Sequence, residues 1–503
     1  MNAKRLYAAD LGASGGKCFC GLFEDGSFSM EEVHRFAHEG VPFFIADSDG
    51  KLSERSYWDD ILLYRNIVEG LHVYRREVSD RLDSIGIDTW GADGHFLSAD
   101  GEMLGKVYCY RDHRLDDMIG VVTSLIDARR VYQITGIHFQ PFNLNNQLRW
   151  FVSNRRDLLR PGCFYLPVPS LFYYYLGGGR KVDSSWASVT QLMDAKTKQW
   201  SAEIMEKLEI PPEVLPEIVE PGTVLGRLLE PLARAVGINQ AELIAVGSHD
   251  TASAFAAAPV DNTDDALIIS SGTWSLVGKL IPEPITSDAA MEANISNEGG
   301  IGNTRFLKNC MGTWLAQELR RVWAIADGKE MDWDELTGLA RSAPAFATLI
   351  DPDDPGFYNP SNMEEAITAF CRKSGQPVPA DRGACLRAVY ESLALKYRTV
   401  NEQICNACER ESRVVNVVGG GSKNEMLNQF TADALGMPVM AGPEEATAVG
   451  NFMVQAVGLG IIPGIAEAQP IIREAFPLRE YRPRDPASWN KAYSRFSALL
   501  ESA

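Results

Sequence analysis

An aspartate that could accept a proton lies in the run Ser248-His249-Asp250, which follows a short β-like segment at residues 243–247 and has the composition of a helix start. A carboxylate at a strand-to-helix junction lies near the positive end of the helix, which favours its ionised form. An ionised aspartate can take the proton of a substrate hydroxyl as that hydroxyl attacks a phosphate. The three residues are not a catalytic triad, because triads are assembled from separate segments. A plain helix N-cap is the structural alternative, and Ser248 could fill that position instead.

Two turns of small residues could bind phosphate. The first spans residues 12–16, just after Asp10, and the second spans residues 270–275; each lies between two β-like runs. Backbone N–H groups can approach a phosphate closely in such turns, and Ser and Thr hydroxyls add donors. Two such turns in two halves of the chain predict a duplicated fold that holds the phosphates of a nucleotide, with Asp10 close to a bound Mg²⁺. ATP-dependent phosphoryl transfer is therefore the first hypothesis.

The first turn has other interpretations. It is not a P-loop, because Cys18 follows Lys17 where Ser or Thr is required and the first glycine is one position too close. It satisfies the G-x-S-x-G pattern of a hydrolase nucleophile elbow, but an elbow feeds a helix, and residues 18–23 have the composition of a return strand. An ordinary Gly-rich hairpin remains open as an alternative.

A third glycine turn, Gly419-Gly420-Gly421, follows the β-like run at 414–418 and precedes a helical stretch. It is not the dinucleotide fingerprint, because Asn424 occupies the third glycine position. Bare backbone at this point suits an adenine or ribose. Two further stretches, 88–93 and 308–314, mix polar side chains with Trp and Gly, as a sugar pocket or a buried structural turn would.

Composition limits the class of partner. The chain has 503 residues, 45% of them hydrophobic, and a formal net charge of −19, so nucleic acid and anionic membranes are excluded as partners and a small substrate is favoured. The N-terminal residues leave too little room for a signal peptide, and no apolar run reaches the ~20 residues of a membrane span. Nine scattered cysteines favour reduced thiols and a cytoplasmic location, and the Cys405–Cys408 pair lies in a helical stretch.

The elements that must position these residues divide into two halves. Residues 5–115 have the pattern of strands and hairpins with one helix over 58–76, and residues 116–215 are mainly helical. The polar, turn-rich stretch at 259–265 marks the boundary between two domains, 1–259 and 260–503. The second domain begins with the second phosphate turn and ends in a C-terminal helix.

Together these motifs resemble the FGGY family of carbohydrate kinases over about residues 6–459. The runs that carry the resemblance are Asp10-Leu11-Gly12-Ala13-Ser14, Gly86-Ile87-Asp88-Thr89-Trp90-Gly91, Tyr110-Arg111-Asp112, Ser248-His249-Asp250-Thr251-Ala252-Ser253-Ala254, Ser270-Ser271-Gly272-Thr273-Trp274-Ser275, Asn297-Glu298-Gly299-Gly300, Lys308-Asn309 and Met311-Gly312. The resemblance implies an α/β fold of two actin-like (ribonuclease H-like) domains of the hexokinase/Hsp70 superfamily, with the active site in an inter-domain cleft.

The resemblance also implies roles for individual residues. Asp250 is expected to be the general base, and Asp10 and Asp250 are expected on the side of the Mg²⁺ ion. The expected ATP contacts are Asp10, Ala13, Ser14, Gly15, Gly16, Lys17, Thr273, Gln317, Gly419, Gly420 and Gly421. The expected sugar contacts are Gly91, His249, Asp250, Thr251 and Asn309.

The expected reaction is phosphorylation of the 1-hydroxyl of L-rhamnulose by ATP in a monomer or homodimer. Another ketose, such as L-fuculose or L-xylulose, is an alternative, and a non-catalytic sugar sensor is a remote one. The chain departs from the family pattern at three places: Gly15 and Lys17 replace Ser and Arg, Gly94 and His95 replace bulkier apolar residues, and Ser170 replaces Asp. Lysine keeps the charge of arginine but loses its forked donor geometry.

Overall fold

The computed structural model describes residues 3–46 and 49–502. The chain forms two compact units. The first comprises the chain through Ala257 together with Leu280–Phe306 and Ala446–Ala475, and the second comprises Ala258–Lys279, Leu307–Glu445 and the segment from Phe476 onward. The predicted boundary at 259/260 lies next to the break after Ala257, but the prediction placed 280–306 and 446–475 in the second domain, whereas these segments pack with the first unit.

Both units are α/β. The strands, numbered in chain order, are β1 Lys4–Gly12, β2 Gly15–Glu24, β3 Ser27–Ala37, β4 Val41–Ala46, β5 Leu52–Tyr57, β6 Ser84–Thr89, β7 Gly94–Leu97, β8 Phe164–Pro167, β9 Lys181–Asp183, β10 Glu217–Val219, β11 Val224–Arg227, β12 Glu242–Ile244, β13 Ala266–Ser271, β14 Trp274–Ile281, β15 Ser296–Gly299, β16 Thr304–Met311, β17 Val414–Val418, β18 Val439–Ala441 and β19 Arg479–Tyr481. The helices are α1 Asp60–Glu77, α2 Met118–Leu125, α3 Ala128–Thr135, α4 Leu144–Asn154, α5 Val168–Leu176, α6 Ser184–Ser188, α7 Ala202–Lys207, α8 Glu230–Val236, α9 Asp250–Ala256, α10 Asp288–Glu292, α11 Trp314–Asp327, α12 Trp333–Ser342, α13 Met363–Ser374, α14 Arg382–Cys408, α15 Glu425–Leu435, α16 Ala446–Gly458, α17 Ala468–Ala475 and α18 Pro486–Ser502.

The first unit is built on a mixed six-stranded sheet of order β11-β12-β6-β1-β2-β3. Strand β1 pairs antiparallel with β2 and parallel with β6. Residues 6–9 of β1 are fully buried, because helices cover both faces of the sheet. The predicted β1–β2 hairpin, the buried strand at 84–89 and the helix at 58–76 are all confirmed.

Helix α16 explains why a late segment of the chain belongs to the first unit. It packs on β1, β6 and α9. Two polar side chains, Asn451 and Gln455, lie four residues apart on a helix whose other buried residues are apolar, and both are fully buried. The Gln455 amide donates to the carbonyl oxygen of Tyr7 at 3.0 Å, and its oxygen accepts from the Ser84 hydroxyl at 2.6 Å. The helix therefore completes the hydrogen bonding beneath this sheet.

The second unit repeats this strand arrangement. Strand β13 pairs antiparallel with β14 and parallel with β17, which pairs parallel with β18. The predicted second hairpin, the strand at 414–418 and the helix that follows the glycine turn are confirmed. The predicted C-terminal helix corresponds to α18, which is preceded by α17 and β19. The repetition agrees with the duplicated fold that the two small-residue turns predicted.

Two features concern the environment of the chain. Within residues 3–46 and 49–502, no helix is long and apolar enough to cross a membrane. The nine cysteines, all in the described part of the chain, are free thiols, and Cys405 and Cys408 lie at the end of α14 as predicted.

Candidate active site

The predicted phosphate turn of the first unit is the tip of the β1–β2 hairpin. Gly12 pairs with Gly15, which leaves Ala13 and Ser14 as the tip, and Ser14 is exposed. The carbonyl oxygen of Gly12 lies 2.7 Å from Nε2 of His38. The predicted hairpin is therefore confirmed, and the buried imidazole of His38 contacts the backbone at the end of β1.

Three carboxylates lie close together at the end of β1. Asp10 is opposite Asp88 in the parallel register of β1 and β6. Asp88 is fully buried, and its Oδ2 accepts a hydrogen bond from Nδ2 of Asn451 at 2.5 Å, while its Oδ1 has no hydrogen-bond partner in the described structure. Burial, the charge of Asp10 and the charge of Asp250 raise the pKa of Asp88 well above its usual value. Negative charge is thus crowded around these three residues.

Asp250, the predicted general base, is the first residue of α9. Its Oδ1 accepts hydrogen bonds from the backbone N–H of Thr251 at 2.5 Å and from the Thr251 hydroxyl at 3.0 Å. The side chain is 31% exposed, so a substrate hydroxyl can reach it. The N-cap position belongs to His249, whose side chain makes no capping bond, so neither Asp250 nor Ser248 has the plain capping role considered above.

His249 is held between glycine backbone and a buried ion pair. Its Nδ1 lies 3.2 Å from Nη2 of Arg305 and 3.4 Å from Oε2 of Glu298, and its Nε2 lies 3.5 Å from Oδ1 of Asp250. A Cβ atom at Gly91 would lie 2.8 Å from the same Nε2, so only glycine leaves room for the ring. Burial raises the pKa of Glu298, but Arg305 and His249 outweigh it and lower that pKa to about 2. Glu298 is therefore ionised at neutral pH.

The rest of the 88–93 stretch is a buried polar network. Asp93 Oδ2 accepts from Nε1 of Trp58 at 2.7 Å and from Nε1 of Trp90 at 3.1 Å, and Oδ1 accepts from the Gln147 amide at 3.1 Å. Burial raises the pKa of Asp93 to about 6 despite these donors. The Trp58 and Trp90 rings pack at 4.5 Å. Within this stretch Trp90 and Asp93 belong to a buried hydrogen-bond network that stabilises the fold. Gly91 instead contacts His249, which is predicted to bind the sugar.

His95 and Ser170, which depart from the family pattern, are both buried. The His95 ring packs against Phe96 and Phe151, and its pKa falls to about 4 because burial disfavours the charged ring. His95 therefore lies in an aromatic cluster as a neutral side chain.

The glycine turn of the second unit packs on the end of β13. Gly419 has a φ of 82° and approaches the carbonyl oxygen of Ser271, where a Cβ would lie at 3.0 Å. A Cβ at Gly421 would lie 2.0 Å from Oγ of Ser271. A Cβ at Gly420 would meet nothing within 4 Å, so its backbone has open space in front of it. Bare backbone is thus required at two of the three predicted nucleotide positions.

Thr273 and Gln317 are joined to the same end of β13. The hydroxyl of Thr313 donates to the carbonyl oxygen of Gly272 at 2.8 Å, and the Gln317 amide donates to that hydroxyl at 3.1 Å. The backbone N–H of Trp314 donates to the Thr273 carbonyl oxygen at 3.3 Å. The helix α11 therefore starts at the β13–β14 turn and carries Gln317 beside it.

The predicted site residues thus form one group in each unit. The first unit brings together Asp10, Gly91, His249, Asp250 and Thr251, and the turn that precedes Lys17 lies at the end of the same strand as Asp10. The second unit brings together Thr273, Gln317, Gly419, Gly420 and Gly421. Asn309, predicted to bind sugar, lies on β16. Its side-chain oxygen Oδ1 is buried and has no hydrogen-bond partner in the described part of the chain, which is compatible with a hydrogen bond to a ligand.

Four residues that support the first group were not predicted in these roles: Asp88 as a third carboxylate, Asn451 as its amide partner, and the buried pair of Glu298 and Arg305. The available signal for Asn451 was its spacing from Gln455, since both amides lie on the same face of the mainly apolar helix α16. Glu298 belongs to the run Asn297-Glu298-Gly299-Gly300 that resembles the family pattern, but its partner Arg305 lies outside that run.

The carboxylates fit a magnesium ion. No group of three or more His, Cys, Asp or Glu side chains in the described ranges is arranged to hold a metal by itself. Mg²⁺ commonly needs only one or two carboxylates when phosphates supply the other ligands. The charges of Asp10 and Asp250 contribute to the raised pKa of Asp88, so the three carboxylates repel one another when ionised, and a cation bound beside them would reduce that repulsion.

Comparison with known protein families gives matches in both halves of the chain. Residues 66–256 match the N-terminal domain of the FGGY family of carbohydrate kinases, and residues 267–459 match its C-terminal domain. A rhamnulokinase of Bacteroides thetaiotaomicron is 38% identical over 494 residues, covering 98% of this chain and 99% of the relative. A rhamnulokinase of Pectobacterium carotovorum is also 38% identical, covering 100% of this chain and 97% of the relative.

Solved structures of sugar and polyol kinases share the fold. Plasmodium falciparum glycerol kinase with ADP superposes with a TM-score of 0.78 at 16% identity, covering 99% of this chain and 98% of that one. Ligand-bound xylulose kinase from Lactobacillus acidophilus gives a TM-score of 0.77 at 16% identity with the same coverage. At this identity the likeness shows the fold alone, and it confirms the predicted two-domain α/β architecture.

Proposed function

Since the chain belongs to the FGGY family of carbohydrate kinases, we propose that it transfers the γ-phosphoryl group of ATP to the 1-hydroxyl of L-rhamnulose. The chain is an ATP-dependent sugar kinase, as its family and its rhamnulokinase relatives over nearly full length indicate. The alternative ketoses are not favoured, because rhamnulokinases match this chain at 37–38% identity over nearly its full length. A non-catalytic sensor is not favoured either.

The observation that carries the mechanism is the setting of Asp250. Thr251 holds Oδ1 through two hydrogen bonds, while part of the carboxylate stays accessible. These hydrogen bonds orient the carboxylate, and its accessible part can accept a proton. Asp250 would take the proton of the sugar hydroxyl as its oxygen attacks the γ-phosphorus. The leaving group of the phosphoryl transfer is ADP.

The remaining residues bind and orient. Gly91, His249, Thr251 and Asn309 would bind the ketose. Lys17, the turn at 13–16, Thr273, Gln317 and the turn at 419–421 would bind ATP. Asp10 and Asp250 would hold Mg²⁺, which when bound neutralises charge on the transferring phosphoryl group. A cytoplasmic location, supported by nine free thiols, and a monomeric or homodimeric state belong to the same proposal.

Replacement of the base tests this mechanism. Asp250→Asn should lower kcat for L-rhamnulose by roughly 10²–10⁴-fold, the usual contribution of a general base, with ATP binding retained. Asp334→Asn, an exposed carboxylate in the first turn of α12, is the matched control and should leave kcat unchanged. Near-normal turnover by Asp250→Asn would remove Asp250 from this role.

A substrate panel tests the identity of the sugar. Initial rates of ADP release with L-rhamnulose, L-fuculose and L-xylulose should give the highest kcat/KM for L-rhamnulose. A higher value for either of the others would replace the proposed substrate while leaving the kinase activity intact.

A further inference from the structure

A buried arginine lies behind the predicted sugar-binding histidine. Arg305, on β16, has a side chain with no exposed surface. Its Nη1 lies 3.1 Å from Oε2 of Glu298, and its Nε donates to the carbonyl oxygen of Gly299 at 2.9 Å. Burying a guanidinium is costly unless it is paired and hydrogen-bonded. The remaining nitrogen, Nη2, lies 3.2 Å from Nδ1 of His249.

The contact between Arg305 and His249 restricts where the imidazole carries its hydrogen. A guanidinium has donors and no acceptor, so Nδ1 must accept through its lone pair. In a neutral imidazole the single N–H is then on Nε2. Glu298 competes for the same atom, because a hydrogen on Nδ1 could be donated to its Oε2 at 3.4 Å. That distance is longer than the 3.2 Å between Nδ1 and Nη2 of Arg305, so Arg305 is the nearer partner of Nδ1.

The Nε2 side of the ring faces the predicted reaction site. Nε2 lies 3.5 Å from Oδ1 of Asp250, and the close approach of Gly91 fixes the ring plane. A hydrogen on Nε2 would place a donor beside the proton acceptor. An oxygen of the ketose next to the reacting hydroxyl would be a suitable partner.

We propose that Arg305 is a positioning residue that fixes His249 as the Nε2–H tautomer, so that the ring donates to an oxygen of the ketose beside Asp250. The role of the donor rests on the proposed function, whereas the tautomer is a property of the sugar-free protein. Glu298 would neutralise the charge of Arg305.

Nitrogen NMR of histidine tests the tautomer without any sugar. The full chain is labelled with ¹⁵N-histidine, and the His249 signals are assigned by their loss in His249→Gln. Wild type should show a bare Nδ1 and a protonated Nε2 for His249. Arg305→Met should lose this preference, and Arg305→Lys, which keeps a donor, should retain it. A protonated Nδ1 in wild type, alone or together with Nε2, would overturn the proposal.

Kinetics test the consequence for the sugar. Arg305→Met should raise KM for L-rhamnulose about tenfold, the usual effect of one hydrogen bond, with KM for ATP within about twofold of wild type and with partial rescue in Arg305→Lys. Arg129→Met, which removes an exposed ion pair with Asp288, is the control and should change neither constant. An Arg305→Met protein with unchanged KM for the sugar would refute the role.

Two outcomes separate this proposal from the one on which it rests. If Arg305→Met does not fold, the wild-type spectrum and the Arg305→Lys variant still decide the tautomer. If the tautomer is as expected but wild type does not phosphorylate L-rhamnulose, the proposed function fails and the fixed tautomer stands.

Discussion

Replacing Gly91 with alanine adds one methyl group where His249 leaves no room for it. The Cβ would lie 2.8 Å from Nε2, 3.0 Å from Cδ2 and 3.1 Å from Cε1 of that ring. The clash is with the whole edge of an imidazole whose opposite side is held by Arg305 at 3.2 Å. The ring therefore cannot relax as the end of a free side chain would.

The size of the effect follows from the distances. Atoms in ordinary contact are about 3.5 Å apart, so the ring must retreat by about 0.7 Å. Overpacking of this kind costs about 1–3 kcal/mol, and a displaced donor misplaces the sugar. We expect Gly91→Ala to lower kcat/KM for L-rhamnulose by about 10- to 100-fold, with KM for ATP unchanged.

The assay is ADP release at varied sugar and at varied ATP, with thermal unfolding as the check on the fold. Gly120→Ala is the matched control, because a Cβ on this exposed helical glycine of α2 meets nothing within 4 Å. If Gly91→Ala and Gly120→Ala have the same kcat/KM for the sugar, the ring is not pinned as described, and the reasoning from its contacts is refuted.

Two further predictions concern other parts of the structure. Asp93 has a pKa of about 6 when folded, against 3.8 for a free side chain, so the folded protein holds its proton more tightly and the stability contributed by this group falls as the pH rises. The unfolding free energy of wild type relative to Asp93→Asn should therefore fall by up to about 3 kcal/mol between about pH 4 and pH 6 in urea titrations, and a constant difference would contradict the raised pKa. Gly421→Ala should raise KM for ATP about tenfold without changing KM for the sugar, because its Cβ would lie 2.0 Å from the Ser271 hydroxyl. Gly338→Ala, whose Cβ meets nothing within 4 Å, should leave KM for ATP as in wild type, and equal values for the two variants would exclude a steric role for Gly421.

Local patterns in the sequence were sufficient for the elements that carry the chemistry. The β1–β2 hairpin could be predicted because a turn of small residues separates two apolar runs, and the same logic gave the β13–β14 hairpin. The start of α9 at Asp250 could be predicted because a short strand ends in polar residues there. In each case the residues that decide the structure are neighbours in the chain.

The hydrogen bonds that hold these residues in place could not be predicted, because the partners are far apart in the sequence. Asn451 donates to Asp88 across 363 positions, and Arg305 lies 56 positions from His249. Separations of this length do not follow the periodicity of a helix or a strand, so no local pattern in the sequence indicates these contacts. A buried Arg–Glu pair also looks, in sequence, like two ordinary surface charges, since nothing in the side chains themselves signals burial.

The return of α16 to the first sheet has a consequence for the synthesis of the chain. When the ribosome has made the strands β1 and β6, the helix that covers them and donates to Asp88 has not yet been translated. Until about nine-tenths of the polypeptide has emerged, one face of the sheet lacks its cover and an acidic group lacks its amide partner. Such late, long-range closure slows folding and leaves apolar surface open to aggregation in the meantime.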